Sequence, residues 1–121
     1  MAIGQVPNES YLQKALVDWL FKQPEYEKKF VFTHPATEGK RSPQYRRLLA
    51  NMGVANGDPD LIFFLSEGRI KFVELKMPKG QLTPNQKKRI PILVNLGHQV
   101  LIIKTDDICQ AKQEIWQFLS L

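Results

Sequence analysis

The sequence predicts an α/β chain: a mixed central sheet flanked by helices, with elements in the order α-β-α-β-β-α-β-α and a single domain over residues 1–121. Three observations lead there. Apolar residues recur at helical spacing near both ends of the chain. Two apolar runs, DLIFFL and RIKFVEL, flank Ser66-Glu67-Gly68 and read as a β-hairpin. A helical stretch then separates the second run from QVLIIK, and a strand, a crossover helix and a further strand imply parallel pairing.

The first helix is expected from about Glu9 to Lys22, capped by Asn8, with Tyr11, Leu12, Ala15, Leu16, Trp19 and Leu20 as its apolar stripe. KFVFTH (Lys29 to His34) reads as a short strand, and His34, which precedes a proline, as a loop residue. The basic, turn-rich ATEGKRSPQ follows. In it Ser42 and Pro43 look like the cap and first residue of a short helix that stops at Gly53. After the hairpin, Pro78 and Gly80 break the strand, and Thr83-Pro84-Asn85-Gln86 has the form of a capping box. Gln86, Ile90, Leu93 and Gly97 share one face of that helix, so Gln86 points toward the sheet. Pro91 inside it removes one backbone bond, at roughly 3 kcal/mol in a regular helix, and predicts a kink. QVLIIK has the pattern of a strand buried on both faces. Thr105 or Asp106 is expected to cap a last helix whose apolar side is Ile108, Ala111, Ile115, Trp116 and Leu119, with Cys109 as a small core residue.

At 121 residues, 43% hydrophobic and 24% charged, the chain suits one soluble globular domain with its own core. The lone Cys109 cannot form an internal disulfide, which suits a reducing cytoplasm. MAIGQVPNES lacks the basic-then-apolar pattern of a signal peptide, and no apolar run approaches the roughly 20 residues that span a bilayer. Seventeen Lys and Arg against twelve Asp and Glu give a net charge of +5, which favours a polyanionic partner. Lys40, Arg41, Arg46 and Arg47 cluster before the hairpin, and Lys79 and Lys87 follow it. Solvated surfaces often carry such clusters, but here they flank acidic residues and would form a positive rim for seating phosphates.

Residues 57–83, GDPDLIFFLSEGRIKFVELKMPKGQLT, carry the chemistry. Glu74 and Lys76, two apart on a strand, share one sheet face, while Val73 and Leu75 can pack on the other. A three-residue loop at Ser66-Glu67-Gly68, a type I turn followed by a left-handed glycine, pairs Leu65 with Arg69 and, counting outward, Asp60 with Glu74. Directly opposed residues have Cβ atoms about 5 Å apart. Two carboxylates at that distance repel unless a cation or proton sits between them. Hard oxygen donors suit Mg²⁺ or Mn²⁺. An isolated Glu-x-Lys is ordinarily a solvated pair; the coincidence with Pro59-Asp60 in register favours a site.

Pro-Asp followed by Glu-x-Lys resembles the PD-(D/E)xK nuclease motif. GDPDLIFF, FVELK and GQLTPNQ are similar to the VRR-NUC branch of that superfamily, over most of the chain from about Glu9 to Lys104. The approach GVANGDPD is longer than the family's more usual Gly-(Val/Ile)-Pro-Asp. The resemblance implies a PD-(D/E)xK (restriction-endonuclease-like) core and a Mg²⁺- or Mn²⁺-dependent endonuclease whose hydrolysis leaves a 5′-phosphate. It implies that Asp60, Glu74, the Leu75 carbonyl and Glu9 hold metal, that Lys76 orients the attacking water and that Gln86 lies on the rim. The small stand-alone phage and bacterial members it resembles pair as homodimers and cut branched DNA such as four-way junctions, in a bacterial or phage-infected cytoplasm. A flap, repair or restriction-type nuclease, or a non-catalytic nucleic-acid-binding module of the same fold, are the alternatives.

Overall fold

The hairpin sets the sheet. In the computed structural model, which describes residues 4–35 and 42–121, strands β2 (Leu61–Leu65) and β3 (Ile70–Lys76) pair antiparallel, with Leu61 opposite Val73 and Phe63 opposite Lys71. The Leu65 N–H donates to the Arg69 carbonyl at 2.9 Å, so the register is the one the sequence predicts. The turn differs from the expected type I geometry. Glu67 (φ 64) and Gly68 (φ 72) are both left-handed, as in a type I′ turn, whose twist matches that of paired strands. β1 (Phe30–Thr33) lies antiparallel on the outer side of β2, and β4 (Gln99–Lys104) runs parallel to β3, giving the order β1-β2-β3-β4.

Helices α1 (Glu9–Phe21), α2 (Pro43–Asn51), α3 (Pro84–Asn95) and α4 (Ile108–Leu119) complete the expected element order. Leu61, Phe63, Val73, Leu75 and Ile103 point to one face, where they pack against Leu12, Leu16 and Leu20 of α1 and Ala111, Ile115 and Leu119 of α4. α3 lies on the opposite face and buries Gln86, Ile90 and Leu93. Its capping box is formed: the Gln86 N–H donates to Thr83 Oγ1 at 3.2 Å, and the Thr83 N–H to Gln86 Oε1 at 3.0 Å. The helix runs on through Pro91, which lies on its exposed side.

Several sequence expectations are corrected. β4 is an edge strand: Ile103 is buried but Ile102 is 39% exposed, because the strand has a neighbour on one side only. Cys109 is exposed; α4 buries every fourth residue from Ala111, and Cys109 stands two residues earlier, on the far side of the helix. Asp107, not Thr105 or Asp106, caps α4 by accepting the Cys109 N–H at 2.9 Å, while Thr105 Oγ1 accepts the Asp107 N–H at 3.0 Å. Tyr11 is exposed beside the Leu12-Leu16-Leu20 stripe.

Lys71 is buried on the core side of β3 and donates to the Phe118 and Leu119 carbonyls at 2.6 and 3.5 Å, satisfying the last turn of α4 at the negative end of its dipole. Lys71→Met keeps the aliphatic length but removes this cap. It should destabilise the fold by about 1–2 kcal/mol, read as a lower urea midpoint at unchanged slope.

Candidate active site

Asp60 stands one residue before β2, and one further step of the hairpin register sets it opposite Glu74. The carboxylates are tied together through the main chain. Glu74 Oε1 accepts the Asp60 N–H at 3.1 Å, and Asp60 Oδ2 accepts the Leu75 N–H at 2.8 Å. Glu74 Oε2 accepts the Gln86 side-chain amide at 2.7 Å and lies 3.3 Å from Lys76 Nζ. Gln86 therefore does two things at once: its oxygen closes the capping box and its nitrogen holds Glu74. Lys76 Nζ is also 3.8 Å from Glu9 Oε1, which brings the start of α1 to the site.

Glu74 is 1% exposed and Lys76 7%. Burial, and then the charge of Asp60, push the Glu74 carboxyl up to about 7 against the hydrogen bond from Gln86 and the charge of Lys76. The folded chain thus holds this proton more tightly than the unfolded chain. The stabilisation from this group is complete below its ordinary value of 4.5 and is lost as pH rises through about 7.

Among the described residues no three His, Cys, Asp or Glu side chains are grouped closely enough to hold a metal ion. Glu9 joins the site by way of Lys76, at a half-exposed position. The donors that fit a cation are Asp60, Glu74 and a main-chain oxygen. The alternation of hydrogen bonding along β3, fixed by the Leu65–Arg69 pair, turns the main chain of Leu75 toward Asp60. An all-oxygen set in which one carboxyl is raised by its neighbour's charge suits Mg²⁺ or Mn²⁺, whose charge would remove that repulsion.

Three groups outside the expected site also converge here. Arg89 Nε donates to Asp58 Oδ1 at 2.6 Å, so this arginine secures the approach loop. At Gly57 (φ +91) an added Cβ would lie 2.5 Å from the Asn85 carbonyl oxygen, so the longer approach is moulded to the first turn of α3. The signal lay in helical spacing, since Gln86 and Arg89 are three apart and face the same way. His34 Nδ1 lies 2.6 Å from the Asp60 carbonyl oxygen. A carbonyl only accepts, so Nδ1 carries a proton. No local pattern marks His34; only the β1-β2 pairing brings it there. Of the basic candidates, Arg46, Arg47, Lys79 and Lys87 are exposed, whereas Lys40 and Arg41 lie outside the described residues.

Residues 7–107 match the VRR-NUC domain. The chain belongs to that family. A solved structure described as a VRR_NUC domain protein superposes with a TM-score of 0.68 at 25% identity, covering 97% of this chain and 92% of that one. A second, described as a VRR_NUC domain, gives a TM-score of 0.58 at 19% identity over 93% of this chain and 99% of that one. The fold is thus of the PD-(D/E)xK type. "Putative nuclease p44" of Acyrthosiphon pisum secondary endosymbiont phage 1 is 40% identical over 52 residues, 43% of this chain. The chain spans 56% of that relative's length. The VRR-NUC domain and this relative support a nuclease. No helix among the described residues is long and apolar enough to cross a membrane.

Asp60→Asn removes one of the two causes that raise Glu74, and the asparagine oxygen can still accept the Leu75 N–H. The Glu74 titration midpoint should therefore fall below about 7, followed by carboxyl carbon NMR in metal-free buffer. An unchanged midpoint would mean that burial alone sets it.

Proposed function

We propose that this VRR-NUC chain is a Mg²⁺- or Mn²⁺-dependent endonuclease that hydrolyses DNA phosphodiesters, with branched DNA such as four-way junctions as its preferred substrate. The observation that carries the reading is the opposed Asp60–Glu74 pair with Lys76 beside it at the end of the hairpin. The chemistry that a bound divalent cation supplies is Lewis-acid activation of water and of the scissile phosphate.

Everything else is done by the chain's own groups. Asp60, Glu74 and the Leu75 carbonyl are the donors. Gln86 fixes the rotamer of Glu74 and the Leu75 N–H that of Asp60. Lys76, steadied between Glu74 and Glu9, orients the attacking water and offsets charge as it develops on the phosphate, leaving a 5′-phosphate. A cationic rim of Lys40, Arg41, Arg46, Arg47, Lys79 and Lys87 supplies phosphate contacts. A non-catalytic module is disfavoured, because Asp60, Glu74 and Lys76 are all present. Flap, repair or restriction-type cleavage remains the alternative substrate reading.

The preference for junctions rests on assembly. One domain presents one site, and paired nicks across a four-way junction need two sites related by a two-fold axis. Support for a homodimer comes from α2, which buries none of its residues and, with Met52 (73%) at its C-terminal cap, exposes Tyr45 (48%) and Leu48 (51%) along one side.

Asp60→Asn and Glu74→Gln should abolish cleavage while the chain stays folded by circular dichroism. Near wild-type cleavage by either would remove the assignment. Lys76→Ala should lower the rate by about 10²-fold or more with DNA affinity in Ca²⁺ little changed; a defect in binding alone would make Lys76 a phosphate clamp.

Linear duplex, flap and four-way junction DNA, each with Mg²⁺, Mn²⁺ or EDTA, test the substrate. Junctions should be cut in preference, with metal only, by a species of about twice the 14.0 kDa chain mass in light scattering. A strict monomer that prefers flaps would overturn the junction reading and leave the nuclease standing.

A further inference from the structure

Beside the site, the outer face of α1 and the edge strand β1 enclose an open groove of about 500 Å³, within the usual range of ligand pockets. Its lining changes character along its length. Ser10, Gln13, Lys14 and His34 offer polar and cationic groups, whereas Phe21 and Phe32 supply aromatic surface, their ring centroids 5.0 Å apart. Phe21 is 50% exposed. The register of β1 on β2 leaves residues 30 and 32 with their main chain turned away from β2. Glu27 N–H takes the Phe30 carbonyl, and Phe32 lines the groove.

The end of the groove at Ser10 and His34 adjoins the site. Ser10 follows Glu9, which reaches Lys76, and His34 donates to the Asp60 carbonyl.

We propose that the α1–β1 groove is a subsite for one unpaired nucleotide of the cleaved strand, adjacent to the scissile phosphate. Its base lies against Phe21 and Phe32, and Lys14 meets the flanking phosphate. This rests on the nuclease reading above and adds a requirement to it: the strand must be able to release a base at the cut. The chemistry matches single-strand recognition, in which aromatic side chains stack on any base and a nearby cation tracks the backbone. It also gives a branch point, where bases are already unstacked, an advantage over continuous duplex. His34, its Nδ1 engaged at the Asp60 carbonyl, lines the same groove and leaves Nε2 for the nucleotide's polar groups.

The test uses four-way junctions with 2-aminopurine at either nucleotide flanking the mapped cleavage position, bound in Ca²⁺ and followed by emission and by anisotropy. Wild-type protein should change the emission at one of the two positions as the base unstacks from its neighbours and enters the groove. Phe21→Leu, which keeps apolar packing against Tyr26 and Phe32, should reduce that change at equal saturation by anisotropy, and Lys14→Ala should weaken binding several-fold. Emission that stays constant on saturable binding of a junction that is cut in Mg²⁺ or Mn²⁺ overturns the subsite and leaves the nuclease intact. So does an emission change identical in Phe21→Leu. Failure to cleave any DNA with either metal overturns the nuclease reading, and the subsite with it.

Discussion

The carboxylate of Glu74 is the point on which the site depends. It is buried, and it accepts from the Asp60 N–H and the Gln86 side chain while the Lys76 ammonium lies beside it, all of them hydrogen-bond donors. Such a shell favours an anion, yet burial and the Asp60 charge outweigh it and hold the proton to about neutral pH. The centre is therefore balanced between two states, protonated or charge-compensated, and a cation beside it would decide between them. A solvated Glu on an exposed hairpin would have no such tension.

That tension is sustained by the rest of the fold. β3 alternates between two tasks, sending Val73 and Leu75 into the core and Glu74 and Lys76 to the opposite face. The core thus fixes the position of Glu74 and Lys76 without touching them. α3 grips the site from the second face at two places, through Gln86 on Glu74 and Arg89 on Asp58, while Gly57 lets the approach loop meet the Asn85 carbonyl. α1 contributes Glu9 from its first turn. Elements distant in sequence meet at the carboxyl end of β3, where its ladder with β2 ends and side chains take over the hydrogen bonds, while its pairing with β4 runs on to Lys76.

Much of this was legible in the sequence because it depends on local chemistry. Ser66-Glu67-Gly68 fixed the loop length and hence the Asp60–Glu74 register, although the turn places Glu67 as well as Gly68 in the left-handed region. Thr83-Pro84-Asn85-Gln86 announced both a helix start and an inward-facing Gln86. What was not legible depends on neighbours. An apolar strand such as QVLIIK does not reveal that it lies at an edge. Composition and helical spacing place Cys109 and Tyr11 with the apolar residues, but the buried stripes of α4 and α1, three residues each at every fourth position, leave them outside. The pairing of Arg89 with Asp58 has no local signature, because the two lie 31 residues apart. His34 reaches Asp60 only because β1 pairs with β2.

The central claim is that Asp60 and Glu74 together hold a divalent cation in place of a proton. Calorimetric titration of Mn²⁺ into the protein without DNA, in buffers of different ionisation enthalpy, measures this exchange. Binding should release about one proton per ion near pH 6 and progressively fewer toward pH 8, as Glu74 becomes ionised beforehand. Glu74→Gln should lose both the release and most of the affinity. Mn²⁺ binding with no pH-dependent proton release, or with affinity unchanged in Glu74→Gln, would contradict the account.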